Sequence, residues 1–145
     1  MTPVVHTCQP DTDLGTVAGI MWDHDCGFVP VVDASEAVVG LITDRDICIA
    51  AATRRLAPEG IAAFQAMSQS VRGCLPDDSV PEALAMMKHF KLRRLPVIDP
   101  HGLLRGVISM NDIARAANLR KGLAPADVVS TLAEIGEHRT VAEVH

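Results

Sequence analysis

Aromatic side chains are scarce in this chain of 145 residues, which has three Phe, one Trp and no Tyr. The core must therefore be built mainly from aliphatic side chains, and a surface that stacks unpaired nucleic-acid bases would have few rings to use. An excess of basic residues is also lacking, since the formal net charge is −5 at pH 7. A protein that binds the phosphate backbone needs a positively charged face. We therefore predict that nucleic acid is not a partner.

Long apolar runs and targeting signals are absent as well. No stretch approaches the roughly 18 uninterrupted apolar residues that suggest a membrane-spanning helix. The first six residues carry neither the basic segment nor the apolar run of a signal peptide. These absences predict a cytoplasmic protein without a membrane partner.

Metal and redox motifs are missing from the spacing of the cysteines and histidines. The sequence places its four cysteines too far apart for a zinc or redox pattern, at Cys8, Cys26, Cys48 and Cys74. The six histidines show no metal-ligand spacing either. We predict no metal site and interpret the cysteines as small buried apolar side chains.

Catalytic signatures are equally absent. The sequence has no Gly-Lys-[Ser/Thr] phosphate loop and no Gly-x-Ser-x-Gly nucleophile elbow. Its carboxylates are plentiful but scattered, so no paired-acid site can be argued. We predict that the chain is not an enzyme and has no catalytic residues.

What the sequence does contain is an internal repeat. A shift of 66 residues aligns residues 5–51, the first repeat, with residues 71–117, the second repeat, without a gap. Fourteen of the 47 aligned pairs are identical, whereas ordinary residue usage would give roughly three. The identical pairs include Asp46 with Asp112, and Thr43 aligns with Ser109. The chain is therefore a duplication.

The residue pattern of both repeats predicts the element order β-α-β-β-α. Two such repeats form an α/β fold of the α+β type with two similar sheets. The expected elements of the two repeats are strands at 4–8 and 71–75, helices that begin after the N-caps Asp13 and Ser79, strand pairs at 28–33 with 38–43 and 95–99 with 104–109, and closing helices from 44–46 and 111–112. Pro81 fits the first position of its helix. We predict four segments: 1–55, a linker at 56–70 with a short helix at 61–67, 71–120, and a tail at 121–145 with an amphipathic helix at 124–139.

Two stretches, in register at the same offset, carry a family resemblance. The first repeat has Val-Pro-Val-Val-Asp at 29–33 and Gly-Leu-Ile-Thr-Asp-Arg-Asp-Ile at 40–47. The second has Leu-Pro-Val-Ile-Asp at 95–99 and Gly-Val-Ile-Ser-Met-Asn-Asp-Ile at 106–113. These stretches resemble the cystathionine-β-synthase (CBS) domain, and the resemblance covers about residues 1–119.

The resemblance implies a pseudo-two-fold CBS pair that forms a homodimer and holds an adenosine ligand in clefts between its repeats. AMP, ADP or ATP is the expected ligand, with NAD or S-adenosylmethionine as further possibilities, and no cofactor is required. The expected role is that of a stand-alone regulatory module that acts in trans on a protein the sequence does not identify.

The resemblance also implies which residues hold the ligand. The second cleft is defined by Ser109 and Asp112, which would bind the ribose, and the first cleft by Thr43 and Asp46. The second cleft would also use Asn111, the adenine-contacting residues His6, Cys26 and Gly27 of the first repeat, and the phosphate-binding pair Arg93 and Arg94. The first cleft would also use Arg45 and, from the second repeat, Arg72, Leu92 and Arg93.

Each of these interpretations has a structural alternative. Thr43, Asp46, Ser109 and Asp112 could simply cap their helices, and Arg93 and Arg94 could be a solvated strand start. The whole chain could be a structural or dimerisation module with empty clefts, or a redox- or metal-responsive stress protein that uses the cysteines. The tail helix could cap the module or contribute to a dimer contact.

Overall fold

The computed structural model describes residues 5–119 and 124–137. Its elements in chain order are α1 Leu14–Asp23, β1 Phe28–Val32, β2 Val38–Thr43, α2 Asp44–Arg54, a 3₁₀ turn Pro58–Gly60, α3 Ala63–Ala66, α4 Val80–Phe90, β3 Arg94–Ile98, β4 Leu104–Ser109, α5 Met110–Asn118 and α6 Pro125–Ile135. This order confirms the predicted mixed α/β class. Every helix in the described ranges is too short or too polar to traverse a lipid bilayer.

The strands form two separate antiparallel ribbons with the same register. Strand β1 pairs with β2 and β3 pairs with β4, so that Pro30 lies opposite Leu41 and Pro96 lies opposite Val107. In both ribbons the strand register shifts directly after the valine that follows the proline, Val31 in β1 and Val97 in β3. The strands are rich in Val, Ile and Leu, which fit a pleated, half-buried surface.

The predicted first strand of each repeat is reduced to a single parallel bridge, of Cys8 with Val31 and of Cys74 with Val97. The N–H of Cys8 donates to the carbonyl of Pro30 at 3.0 Å, and its carbonyl accepts from the next N–H along β1 at 2.9 Å. Pro30 itself has no N–H to donate, so this edge of β1 cannot support a longer ladder. Residue 4, where the first of these strands was expected to begin, lies outside the described residues.

The helices begin largely where the sequence predicts. Asp13 and Ser79 cap α1 and α4 through side-chain oxygens that accept from Thr16 and Glu82 N–H groups. Pro81 is the second residue of α4 rather than the first, because Val80 already has helical geometry. The linker helix is one turn shorter than expected, and the described part of the tail helix ends at Ile135.

Each repeat has its own hydrophobic core, completed by the segment that follows the repeat. The linker contributes Ile61 and Ala63 to the first core. Helix α6 packs on α4 and α5 and contributes Val128 to the second core. The tail therefore covers the second core in the way that the linker covers the first, while its role in a dimer contact stays a prediction.

The repeats meet at the tips of their hairpins. Ala37 bridges Leu103, and the N–H of Val38 donates to the carbonyl of Gly102 at 3.2 Å. Gly102 has φ of +85°, a conformation that glycine adopts without strain. On the other edge of the first ribbon, Leu41 exchanges two backbone hydrogen bonds with Ser68 of the linker, at 3.1 and 2.9 Å.

Candidate functional site

The paired hydroxyl and carboxylate residues form reciprocal capping boxes in both repeats. The hydroxyl of Thr43 accepts from the N–H of Asp46 at 3.2 Å, and the carboxylate of Asp46 accepts from the N–H of Thr43 at 2.9 Å. Ser109 and Asp112 repeat this exchange at 3.1 and 2.9 Å. The capping alternative is therefore confirmed for all four residues.

Capping leaves these side chains chemically able to bind a ligand. An ionised carboxylate offers about four lone-pair positions, and the single N–H of the box uses one of them. The hydroxyl accepts a hydrogen bond in the box and keeps its own proton to donate. Asp46 and Asp112 are half-buried, so the box fixes a partly accessible acceptor at the start of a helix.

The segment before the first strand of each ribbon lies against the box of its own repeat. The N–H of Asp44 donates to the carbonyl of Gly27 at 3.2 Å, and that of Met110 donates to the carbonyl of Arg93 at 2.9 Å. In the strand register, Arg94 is the partner of Ser109. The exposed cations Arg93 and Arg94 thus adjoin the Ser109–Asp112 box, and their role in phosphate binding stays a prediction.

A pair of stacked side chains stands at the outer end of the first helix in each repeat. The rings of His6 and His24 stack with centroids 3.4 Å apart and an interplanar angle of 9°. At the equivalent positions, the guanidinium of Arg72 lies 4.5 Å from the ring centroid of Phe90, a cation–π arrangement. Both pairs hold the segment that enters the repeat against the loop after the helix.

These loops carry the remaining predicted residues. The N–H of Cys26 donates to Met21 at 3.0 Å, and that of Leu92 donates to Met87 at 2.9 Å, which closes the turn after each helix. The structure therefore brings His6 to the loop of Cys26 and Gly27, and Arg72 to the loop of Leu92 and Arg93. Arg45 and Asn111 are both exposed, each one residue before the aspartate of its box. That any of these residues contacts a ligand stays a prediction.

Gly27 lies close to side chains of both repeats. A Cβ placed on Gly27 would lie 3.0 Å from Oδ2 of Asp44 and 3.7 Å from Nη1 of Arg94. The side chain of Arg94, in the second repeat, thus comes close to Gly27 of the first repeat. The sequence interpretation did not single out Asp44, although the repeat alignment contains a signal, because its equivalent is the uncharged Met110.

The aspartates that end the Pro-Val motifs have a structural role in the hairpins. Asp99 accepts from the N–H groups of His101 and Leu103, both at 2.9 Å, and from Nε of Arg105 at 2.8 Å. These bonds, led by the one from Leu103, lower the pKa of Asp99. In the first ribbon Ser35 and Ala37 donate to Asp33, and the pKa of Asp33 is lowered chiefly by Ser35.

Two small cavities lie between helices, and of the two only the first is lined by a predicted site residue. The first, about 230 Å³, lies between α2 and α3 and includes Asp46, Thr53 and Gln65 in its lining. The second, about 190 Å³, lies between α4 and α6 and includes Lys88 and Asp127. Pockets that enclose a small molecule usually have roughly 300 Å³ or more. A nucleotide would therefore occupy an open cleft rather than either of these cavities.

The cysteines divide into two kinds. Cys8 and Cys74 are buried as predicted, and burial raises the pKa of Cys8 to about 11 and also raises that of Cys74. Cys48 is exposed and Cys26 is half-buried, so for these two the prediction of a buried side chain is wrong. The apolar residue Ile49 beside Cys48 is 47% exposed as well, so this side of α2 faces outward. Within residues 5–119 and 124–137, no three metal-binding side chains cluster.

Comparison with known proteins places both repeats in one family. The sequence profile of the CBS domain matches residues 1–53 and 61–118. A 17.7 kDa protein of Acidianus ambivalens is 35% identical over 115 residues, which are 79% of this chain and 68% of that protein. Hypoxic response protein 1 of Mycobacterium tuberculosis is 33% identical over 110 residues, 75% of this chain and 76% of that protein.

Solved structures share the fold. Hypoxic Response Protein I, with two coordinated zinc ions, superposes with a TM-score of 0.70 at 30% identity over 79% of this chain and 93% of that one. The CBS domain pair of MJ0100, with 5′-methylthioadenosine and S-adenosyl-L-methionine, gives 0.75 at 22% identity over 83% and 93%. CBSX2 with AMP gives 0.72 at 23% identity over 83% and 94%.

Proposed function

The chain belongs to the CBS domain family, and on that premise we propose that it is a regulatory module that binds an adenosine-containing ligand between its two repeats. The observation that carries the proposal is the presence of both hydroxyl–carboxylate boxes with matching geometry. The pairs Thr43–Asp46 and Ser109–Asp112 differ by only 0.1 Å in one hydrogen bond and agree in the other.

The chemistry of a ribose fits these boxes. A ribose presents two adjacent hydroxyl donors, and the carboxylates of Asp46 and Asp112 are the acceptors fixed at the helix starts. The first turn of α5 also favours an anion, because its backbone N–H groups and the helix dipole point toward it. A nucleotide bound by Asp112 would thus direct its phosphate toward Arg93 and Arg94.

The comparisons support an adenosine ligand as a class. Proteins of this fold hold AMP in one case, and 5′-methylthioadenosine with S-adenosylmethionine in another. We propose AMP, ADP or ATP as the ligand of the second cleft, because Arg93 and Arg94 supply two cations there. His6, Cys26 and Gly27 would contact its adenine from the first repeat.

The proposed output is a change in packing and not a chemical reaction. A ligand shifts a conformational equilibrium only if it binds one state more tightly than the other. A ligand held by the box of one repeat and the loop of the other would favour one arrangement of the repeats. We propose that a homodimer of the chain passes this arrangement to a protein partner.

A second candidate is an assembly module with empty clefts. Trp22 on α1 is 87% exposed, and tryptophan is enriched at protein interfaces. Replacement of Trp22 by Glu would then convert a dimer to a monomer in analytical ultracentrifugation. In that case no adenosine compound would bind.

The test of the first proposal is a thermal-shift panel with AMP, ADP, ATP, NAD and S-adenosylmethionine, and GTP as the control. A ligand at 100 times its dissociation constant adds about 2.7 kcal/mol of stability, which raises the melting temperature by several degrees. An adenosine-selective shift that Asp112→Ala reduces supports the module. No shift with nucleotide-free protein at millimolar ligand favours the assembly candidate.

A further inference from the structure

Two equivalent side-chain pairs, one in each repeat, differ in how they respond to acid. In the first repeat His6 stacks on His24, with ring centroids 3.4 Å apart. The shift of 66 residues that relates the repeats maps these positions onto Arg72 and Phe90, where the guanidinium lies 4.5 Å from the ring centroid. A histidine side chain changes its charge between pH 5 and 8, whereas a guanidinium stays charged and a phenyl ring stays neutral. Of the two pairs, that of the first repeat is therefore the one whose charge changes in this range.

The stacked histidines accommodate one proton and oppose a second. His24 is the C-cap of α1, and a positive charge is favoured at the C-terminal end of a helix. A further proton on His6 would place two positive charges on rings that stack at 3.4 Å with an angle of 9° between them. Two unit charges about 4 Å apart repel enough, even in bulk water, to change an equilibrium constant about fivefold. Acid should therefore separate the two rings.

The charged groups around the stack do not offset the second proton by direct contact. Asp23 and Asp25 flank the second imidazole in the chain, but within the described ranges neither imidazole forms a salt bridge with a carboxylate. From neighbouring elements, Asp44 at the start of α2 and Arg94 in β3 border Gly27 in the same loop. Their charges are opposite, so together they favour neither the charged nor the neutral form of the stack.

We propose that the His6–His24 stack is a pH-sensitive clasp, closed at neutral pH and open in acid, that releases the segment entering the first repeat. This entry segment comprises residues 5–8 and ends at the buried Cys8, which bridges Val31 of β1. Once the rings separate, two backbone hydrogen bonds between Cys8 and β1 are left to hold the segment. The inference goes beyond the proposed function, because it concerns the fold itself and requires no ligand.

The two buried cysteines make this opening measurable within one molecule. Cys8 and Cys74 are equivalent in the repeats, and each is 5% exposed. Each follows the first member of its clasp by two residues. The thiolate is the reactive form of both, and burial raises the pKa of both thiols. Below pH 8 the two thiolate fractions therefore change with pH in the same proportion, and the ratio of Cys8 to Cys74 labelling cancels that change.

The experiment labels the full chain with dithiodipyridine, a disulfide reagent that also reacts with thiols in acid. The parent chain carries Cys26→Ala, so that modification beside the clasp cannot open it. Short labelling at pH 7.5 and at pH 5, on either side of the range in which histidine titrates, is followed by peptide mass spectrometry. Because labelling of a buried thiol follows the open population, the ratio of Cys8 to Cys74 labelling should rise at least about fivefold at the lower pH.

The decisive variant transplants the clasp of the second repeat into the first. His6→Arg combined with His24→Phe should give the same labelling ratio at both pH values. His24→Phe alone leaves at most one charge in the pair, so it should also abolish the rise, and it serves if the double variant does not fold. The control is His89→Gln. His89 contacts the edge of Phe90, with ring centroids 4.7 Å apart, and without it the rise should persist.

Three results would overturn the inference. The first is a labelling ratio in the parent chain that stays constant between the two pH values. The second is a rise that survives in the variants without His24, because acid would then act elsewhere in the chain. The third is loss of the rise in His89→Gln, which would assign the response to the second repeat. Global unfolding in acid does not imitate the expected result, since it exposes both cysteines alike.

Discussion

Ser109 and Asp112 hold each other through two hydrogen bonds, in which each backbone N–H donates to the side chain of the other residue at 2.9 and 3.1 Å. The same exchange joins Thr43 and Asp46 in the first repeat. One pair of side chains thus both starts a helix and positions an acceptor in a cleft. Stability and ligand binding are therefore coupled at these positions.

Removing either hydroxyl should destabilise the fold by a similar amount. Ser109→Ala and Thr43→Ala each leave the N–H of a helix first turn without its acceptor, which costs about 1 kcal/mol. Urea unfolding should show a lower midpoint with an unchanged slope. The exposed Ser70 outside the helices is the control, and Ser70→Ala should leave the midpoint in place. Equal midpoints for all three variants would contradict the capping account.

The two arginines at the start of β3 should affect the binding of a phosphate and not the binding of adenosine. Replacing both Arg93 and Arg94 with Ala should weaken AMP binding by about 10-fold or more, since a hydrogen bond to a charged group contributes about 1.5–3 kcal/mol. Calorimetry should show adenosine affinity nearly unchanged. Arg55, an exposed arginine at the end of α2, provides the alanine control. A loss of AMP binding in that control would point to net charge instead.

The contribution of Asp99 to stability should depend on pH. Its pKa is lowered in the folded protein by N–H donors from Leu103 and His101 and by Arg105. A carboxyl whose pKa is lower when folded adds stability above its unfolded pKa and loses it as the pH falls through the folded value. The destabilisation caused by Asp99→Asn should therefore be largest at neutral pH and shrink below pH about 4.

Urea unfolding at neutral and acidic pH measures this difference. Asp77→Asn, at an exposed position in a turn, is the control. A gap between wild type and Asp99→Asn that stays constant down to acid pH would show that the ionised form is not what stabilises the hairpin.

The four thiols should react in two groups. Burial raises the pKa of Cys8 to about 11, and the thiolate is the reactive form, so Cys8 should resist alkylation at pH 8. Cys74 is also buried and has a raised pKa, so it should resist alkylation as Cys8 does. Cys48 is exposed and should react. Iodoacetamide labelling followed by peptide mass spectrometry should show Cys48 modified first. Labelling of Cys8 and Cys74 should need urea; equal rates without it would refute their burial.

Gly40 should tolerate no side chain while Met67 packs on it. A Cβ on Gly40 would lie 2.8 Å from Cγ of Met67 and closer still to its sulfur. Gly40→Ala should therefore cost about 1–3 kcal/mol, the range for overpacking. In the double variant with Met67→Ala the added cost should largely disappear, giving a coupling of about 1 kcal/mol or more in a double-mutant cycle. Additive costs would show that the two residues do not compete for the space.

Much of this fold could be predicted from local patterns in the sequence. The duplication, the caps Asp13 and Ser79, and the hairpins follow from short-range rules that depend only on nearby residues. The prediction of a full first strand in each repeat was wrong. The composition of residues 4–8 alone favours a strand, but the missing N–H of Pro30 limits how far this segment can pair with β1. The spacing of the cysteines gave no measure of exposure, and Cys48 turned out to lie on the outer side of α2.

The candidate site was less accessible to sequence reasoning. The boxes could be found because each lies within four residues of one repeat. The approach of Arg94 to Gly27 and Asp44 joins residues about 50 to 70 positions apart, and it depends on how the two repeats pack. No periodicity within either repeat reports such a contact, although the mismatch between Asp44 and Met110 marks the place.

The backbone bonds on both sides of the first ribbon also protect the protein against edge-to-edge association. Cys8 covers the outer edge of β1, and Ser68 covers the outer edge of β2 through its exchange with Leu41. An uncovered strand edge would offer its N–H and C=O groups to another chain and could seed aggregation. Pro30 removes one of those donors outright. Each of the two edges of this smallest possible sheet thus has a segment of the same chain bonded against it.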